Sequence, residues 1–334
     1  MNDELSAPFE QLLEDRCTPA LVRTIEGGGS SAALWSDIEA SGFLDALVPE
    51  AHGGAGLSLT DIHPLVEACG RTALPLPVAE TMMARALMAG SPMPAGPVAL
   101  ATGARDAAGA IACPTTAFAT TAAFVLVSVD GELRVLPANT AEQSASASGA
   151  LAATLQWSAA AARGSQGVGA SSIDLRAVQA CLLAARMAGT MTRLFRMTLG
   201  HANDRVQFGK PIGRFQAIQH QISVMAEHSA LARSAGRLGC ASSTPLPSPR
   251  AAAIAKAVTS ESAPPVAAIA HAVHGAIGIT AEFDLQLFTR QLHEARLCAG
   301  TESYWYARVG TERLAADAAT TLDFIRGADA PASR

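Results

Sequence analysis

Apolar positions recur at intervals of three and four over most of the chain, and the places where they stop mark its divisions. From Phe9 to about Met93 the spacing is helical: Leu34, Trp35, Ile38 and Phe43 lie near one face, and Ile62, Leu65, Val66 and Cys69 follow the same rule. Two or three short helices are predicted there. Between them the glycine-dense run Pro49-Glu50-Ala51-His52-Gly53-Gly54-Ala55-Gly56 cannot continue a helix, Ser58 and Thr60 behind it are candidate N-caps, and Leu74-Pro75-Leu76-Pro77 is a turn. Residues 94–171 change character. Phe124-Val125-Leu126-Val127-Ser128-Val129, then Asp130-Gly131, then Leu133-Arg134-Val135-Leu136 predicts a β-hairpin, the one clear β signal, in a segment otherwise rich in Ala, Ser and Gly.

From Ser172 the helical period returns and is sustained. Ile173, Val178, Cys181, Leu182, Met187, Met191, Leu194 and Phe195 predict a helix of about thirty residues, and Phe215, Ile218, Ile222 and Met225 a second. Ala251 to Val273 is a third, which Pro264-Pro265 must kink or break. Glu282 to Leu314 supplies a fourth, and the tail from Gly327 is expected to fray. The expected fold class is therefore mainly α with a small β domain: an N-terminal helical domain over 1–93, a reduced middle β domain over 94–171, and a C-terminal four-helix bundle over 172–328.

Composition narrows the function. The 334 residues are 49% hydrophobic and 16% charged, with a mean hydropathy of +0.24, so most of the chain should fold. Aromatics are only 4%, which leaves Ala, Leu, Val and Ile to build closely packed helices. A net charge of −5 gives no overall basic field for nucleic acid or an anionic membrane, and no apolar run reaches the ~18 residues of a membrane span. Asp3, Glu4, Glu10, Glu14 and Asp15 are unlike a secretory leader. The six cysteines, Cys17, Cys69, Cys113, Cys181, Cys240 and Cys298, include no CxxC pair and read as free thiols. A cytoplasmic location is expected. No GxGxxG, GxxxxGK[ST] or GxSxG motif occurs, and no carboxylate or cysteine stands at a ligand interval from His271 and His274, so no metal is expected.

Three segments carry a resemblance. Arg205-Val206-Gln207-Phe208-Gly209-Lys210-Pro211-Ile212-Gly213-Arg214-Phe215-Gln216-Ala217-Ile218-Gln219-His220 resembles the signature between two C-terminal helices of acyl-CoA dehydrogenases. Val273-His274-Gly275-Ala276-Ile277-Gly278-Ile279-Thr280 is similar to that family's second flavin motif, and Leu47 to Gly56 to its N-terminal loop. The resemblance implies FAD as cofactor, with Arg205 on the pyrophosphate, Phe208 packed on the cofactor and Gln216 hydrogen-bonded to it. Gly275 and Gly278 would let backbone approach closely, and Gln207, His274, Thr301 and Ser303 complete the implied cofactor contacts. In the family such groups reach across a subunit interface to the neighbour's FAD, so an oligomer is implied. Between Arg193 and Arg250 eight cations face only Asp204 and Glu227, an excess that suits a phosphate-bearing ligand.

The departures matter as much. Acyl-CoA dehydrogenases remove the α-proton of an acyl thioester with a glutamate while the β-hydride passes to the flavin. The resemblance puts that glutamate at Ala299, before Gly300-Thr301, and the alternative base position of some members at Gln179. Neither side chain can take a proton. Glu302 and Glu294 are the candidate replacements. The family's Thr-Glu-x-x-x-Gly-Ser-Asp loop has no counterpart between Pro94 and Ala170, and Ala272 stands where the second flavin motif has glutamine. This split resembles the short subunits of heteromeric acyl-CoA dehydrogenases of bacterial steroid side-chain breakdown. It implies lipid metabolism, an acyl-CoA substrate, a full-length acyl-CoA dehydrogenase as partner and an electron-transfer flavoprotein as electron acceptor. The alternatives are an active homo-oligomer with a relocated base, and a flavin-free scaffold of the same fold.

Overall fold

The computed structural model describes residues 2–146, 149–317 and 320–326, so the tail from Gly327 expected to fray lies wholly outside the described residues. Five helices come first: α1 (Asn2–Arg16), α2 (Pro19–Glu26), α3 (Ala32–Ala40), α4 (Leu59–Arg71) and α5 (Val78–Leu87). Of the two candidate caps Ser58 is the one used. Asp61 N–H donates to its Oγ (3.2 Å) while Ser58 N–H donates to the Asp61 carboxylate (3.0 Å), a reciprocal capping box. Thr60 falls inside α4, where its hydroxyl donates to the carbonyls of Cys240 and Ser242.

The β region holds more than the expected hairpin. Its elements are β1 (Val98–Thr102), β2 (Ala104–Arg105), β3 (Ile111–Thr116), β4 (Phe124–Val129), β5 (Glu132–Pro137), β6 (Glu142–Ala145), β7 (Ala153–Trp157), a short α6 (Ala159–Arg163) and β8 (Gln166–Ala170). The hairpin is β4–β5, antiparallel from Phe124↔Pro137 to Val129↔Glu132 and turned by Asp130 and Gly131, both at positive φ. One sheet runs β1-β4-β5-β8, with β1 parallel to β4, and the other β2-β3-β7-β6, antiparallel throughout. Alternation explains why β4 reads as an unbroken apolar run. Val125, Val127 and Val129 face a core between the two sheets with Leu155 and Trp157, whereas Leu126 faces the helical core together with Val98, Leu100 and Val135.

The C-terminal region consists of α7 (Leu175–Asp204), a ribbon of β9 (Val206–Gln207) and β10 (Lys210–Pro211), α8 (Gln216–Gly239), α9 (Pro249–His274), α10 (Leu285–Leu297), α11 (Glu302–Ala315) and α12 (Thr321–Arg326). Two expectations are corrected. First, α9 runs unbroken through Pro264 and Pro265. The prolines forgo two backbone donors, but Ala263, Val266, Ala267 and Ala270 around them are buried in the shared helical core, and that packing offsets a proline cost of ~3 kcal/mol. Second, the predicted helix from Glu282 to Leu314 is two helices. Ala299 (φ +56°) and Gly300 (φ +100°) leave the helical region, and Thr301 starts α11 as its N-cap.

The N-terminal helices and the bundle share one core, joined where α4 crosses α7. A Cβ at Gly70 would fall 2.0 Å from the carbonyl oxygen of Arg186, and one at Gly189 2.0 Å from that of Glu67. Two glycines thus let the backbones approach closer than any side chain permits. All six cysteines are buried free thiols; Cys181 and Cys240 touch at 3.5 Å between sulfurs. No helix among the described residues is long and apolar enough to cross a membrane.

Candidate functional site

The first motif forms an exposed tip between the long helices. Arg205 is the C-cap of α7, and the chain turns back through Phe208 (φ +51°) and Gly209 (φ +79°), the two positive-φ residues of a tight hairpin. Glycine adopts this freely, but for phenylalanine it costs ~1–2 kcal/mol. The ring is nevertheless 92% exposed, its one aromatic contact an edge-to-face approach to Phe215 at 6.1 Å, with Lys210 Nζ on that same ring at 4.3 Å. A large ring held strained in water is a surface waiting for a partner. Gln207 and Gln216 are exposed beside it, and the side chains of Arg205 and Arg214 form no ion pair or hydrogen bond among the described residues.

Some sixty residues later in sequence, the second motif is brought against the first. His201 in the last turn of α7 stacks on His274 at the end of α9, with centroids 4.4 Å apart, and His274 in turn meets Phe283 at 5.1 Å. His274 Nδ1 bonds the Ala270 carbonyl at 2.7 Å, while Nε2 of both imidazoles is sealed from solvent without a protein partner. Burial depresses both pKa values, so the stacked pair is neutral near pH 7. Gly275 (φ +64°, ψ −142°) then turns the chain out of the helix with open space where a Cβ would be. Gly278 is packed instead, 2.9 Å from His274 Cβ at its would-be Cβ, and Ile277 and Ile279 beside it are exposed.

Thr301 and Ser303 stand elsewhere. They begin α11 behind the Ala299-Gly300 turn, which is tied to Lys256 in the first third of α9. Eighteen residues of helix, about 27 Å, separate Lys256 from His274. The sequence-predicted contacts therefore form two groups: Arg205, Gln207, Phe208, Gln216, His274, Gly275 and Gly278 at one end of α9, and Thr301 and Ser303 at the other. The cation excess is likewise dispersed. Arg250 pairs with Glu312 at 2.6 Å, Arg233 with Glu67 at 3.7 Å, and Arg193 lies over Phe288, while Arg205, Lys210 and Arg214 stand at the tip.

Beside the second group, the Ala299-Gly300 turn lines a cavity of about 150 Å³ that unites both expected base positions. Gln179 from α7 and Ala299 from the α10–α11 turn face it, with Thr102 of β1, Thr115 and Thr116 of β3, and Arg176 one helical turn before Gln179. No carboxylate lines it among the described residues. The Gln179 amide donates to the Leu100 carbonyl at 2.8 Å, which fixes it as a structural group. Both candidate replacements are engaged. Glu302 is bonded through both oxygens to Arg296, which holds its carboxyl below the usual range. Glu294 accepts the backbone N–H groups of Leu151 (3.0 Å) and Ala152, and burial raises its pKa. Arg176 and the β3 threonines were not singled out from sequence; the three-residue spacing of Arg176 and Gln179 on one helix face was the available signal. His271 bonds Thr289, and no metal-binding cluster occurs among the described residues.

The chain is similar to known proteins in sequence and in fold. Residues 176–315 match the model of the acyl-CoA dehydrogenase C-terminal domain. The acyl-CoA dehydrogenase IpdE2 of Mycobacterium tuberculosis is 30% identical over 290 residues, covering 84% of this chain and 87% of that one, and IpdE2 of Mycolicibacterium smegmatis is 29% identical over 292 residues, 84% and 89%. Among solved structures, the steroid ACAD Tcur3481-Tcur3483 superposes with a TM-score of 0.79 at 23% identity, over 94% of this chain and 99% of that one. The ChsE4-ChsE5 complex from Mycobacterium tuberculosis gives 0.77 at 18%, over 95% and 98%.

Proposed function

The chain belongs to the acyl-CoA dehydrogenase family, and from that premise we propose that it serves as the non-basic subunit of a heteromeric FAD-dependent acyl-CoA dehydrogenase, completing the flavin site of a longer partner. The observation that carries this reading is the contrast between two sites in one chain. The cavity at the base positions is lined by Gln179 and Ala299 without a carboxylate, while the Arg205–Phe208 tip is displayed outward with its cation unpaired. Two of the matched solved structures pair two proteins, the steroid ACAD Tcur3481-Tcur3483 and the ChsE4-ChsE5 complex, which supports the same organisation here.

The tip suits a dinucleotide. Arg205 offers an unpaired guanidinium to a pyrophosphate, Phe208 offers an exposed ring to stack, and Gly275 leaves an open cradle next to two imidazole nitrogens without protein partners. FAD, when bound, supplies the acceptor for the β-hydride of an acyl thioester, and electrons then leave to an electron-transfer flavoprotein. This chain's residues hold and cover the cofactor. They do not move the α-proton, because a weak carbon acid needs a carboxylate positioned against it. That base belongs to the partner. The reading of an active homo-oligomer requires Glu302 or Glu294 to leave Arg296 or the 151–152 backbone, and no observation favours it.

Arg205→Ala tests the assignment. In the assembled protein it removes a charge-assisted contact worth ~1.5–3 kcal/mol, so flavin absorbance per subunit falls while the far-UV circular dichroism stays. Unchanged FAD content would overturn the assignment. A colourless assembly in the wild type would favour the flavin-free scaffold.

A further inference from the structure

We infer that the cavity between Gln179 and Ala299 is a binding site for a small oxyanion, a carboxylate or phosphate group, gripped by Arg176 and the hydroxyls of Thr102 and Thr115. The inference rests on the cavity's own lining and would stand if the flavin reading at Arg205 failed. Its volume of about 150 Å³ corresponds to the liquid volume of about five waters. That is room for one phosphate or carboxylate group.

The lining is polar and its charge is one-sided. Arg176 forms no ion pair among the described residues and rests with its guanidinium carbon 5.2 Å from the Tyr304 ring centroid. The nearby acids are engaged elsewhere: Asp174 with Arg308, and Glu302 with Arg296. Behind the wall, the fully buried Lys256 donates to the carbonyls of Arg296 (2.9 Å) and Gly300 (3.1 Å) and so holds the turn that carries Ala299. An anion entering this space meets the unpaired Arg176 guanidinium.

Two features look prepared for a ligand. Thr102 Oγ1 is sealed from solvent without a hydrogen-bond partner, and the Gln179 amide uses one N–H on Leu100 and keeps the other. The wall is also strained: Thr115 (φ +46°), Ala299 (φ +56°) and Gly300 (φ +100°) all lie in left-handed backbone around this one cavity, and β-branched Thr115 is the costliest of them. The β3–β7 register shifts between Cys113 and Thr116, so the strand bulges where its threonines meet the cavity.

Thermal unfolding of the full chain at constant ionic strength, with chloride exchanged for phosphate, acetate or coenzyme A, tests the site. A saturable rise in Tm of a few degrees is expected, lost in Arg176→Met, partly kept in Arg176→Lys, and weakened in Ala299→Glu, which puts a carboxylate into the same space. A rise with phosphate or acetate assigns a free ion, and a rise with coenzyme A alone assigns the phosphate of a larger molecule; either supports the site. No rise over chloride with any of the three, or the same rise in wild type and Arg176→Met, would overturn it. Arg176 takes no part in the Arg205 tip, so failure here leaves the flavin assignment to its own test.

Discussion

Replacing Lys256 by methionine isolates the most expensive group in the core. Its ammonium is fully buried in α9 and bonds Ser260 Oγ (2.9 Å), the Arg296 carbonyl at the end of α10, and the Gly300 carbonyl in the turn that walls the cavity. Burial pushes its pKa down from 10.5 to about 7, against the opposing pull of Cys298 and Glu302. Between those values the folded chain holds a neutral amine while the unfolded chain holds an ammonium, so unfolding takes up a proton. Stability from this group is therefore complete above the unfolded value and is lost as pH falls through about 7. At about 1.4 kcal/mol per pH unit the interval is worth roughly 5 kcal/mol, most of which accumulates by about pH 9.5. Methionine is close in length and does not titrate. Urea unfolding of both proteins from about pH 6.5 to 9.5 should show the wild type gaining stability on Lys256→Met as pH rises, every other group cancelling in the difference. A flat difference would refute the reasoning: the three hydrogen bonds would then be keeping the ammonium charged throughout.

Gly189→Ala, which sets a methyl against the Glu67 carbonyl oxygen, should lower stability by more than the ~1–3 kcal/mol of ordinary overpacking, because backbone and not a side chain must yield; a melt within a degree of wild type would contradict the close α4–α7 crossing. Ser58→Ala removes half of the capping box and should cost ~1 kcal/mol in urea unfolding, whereas Thr60→Ser, which keeps the hydroxyl that meets Cys240 and Ser242, should cost less. Glu294 has its pKa raised by burial, so its contribution is present below the unfolded carboxyl value and is lost as pH rises through the folded one. Glu294→Gln keeps an acceptor for the 151–152 backbone and should be at least as stable as wild type at pH 7, while a clear loss there would show that the carboxylate charge is needed.

Sequence made the helices of the bundle plain where long runs at three and four spacing leave no other choice, as in α7 and α8. The β4–β5 hairpin was equally plain, because a valine run meets Asp130-Gly131. The remaining strands were hidden for a physical reason. Ala153–Trp157 is only five residues long with two large apolar side chains, and Gln166–Ala170 carries two glycines and a single valine, so both become strands through their neighbours more than through their own propensity. Pro264-Pro265 misled because packing, unseen in sequence, outweighed a local penalty. The residues of the Arg205 tip were recognisable as a contiguous motif, and its link to His274 followed once α7 and α9 were aligned by the His201 stack. The Arg176 cavity was not legible, since β1, β3, α7 and the α10–α11 turn each contribute two or three residues and no local pattern joins the four segments.

The central claim is that this chain lacks the base for dehydrogenation and completes the site of a partner that has it. Acyl-CoA turnover with ferrocenium as electron acceptor, measured on the single protein and on the protein co-expressed with a full-length acyl-CoA dehydrogenase partner, tests that claim most directly. Turnover confined to the pair, and unchanged in the pair when this chain carries Glu302→Gln, is the expected result. Robust turnover by the single protein, abolished by Glu302→Gln, would contradict it and place a working base in this chain.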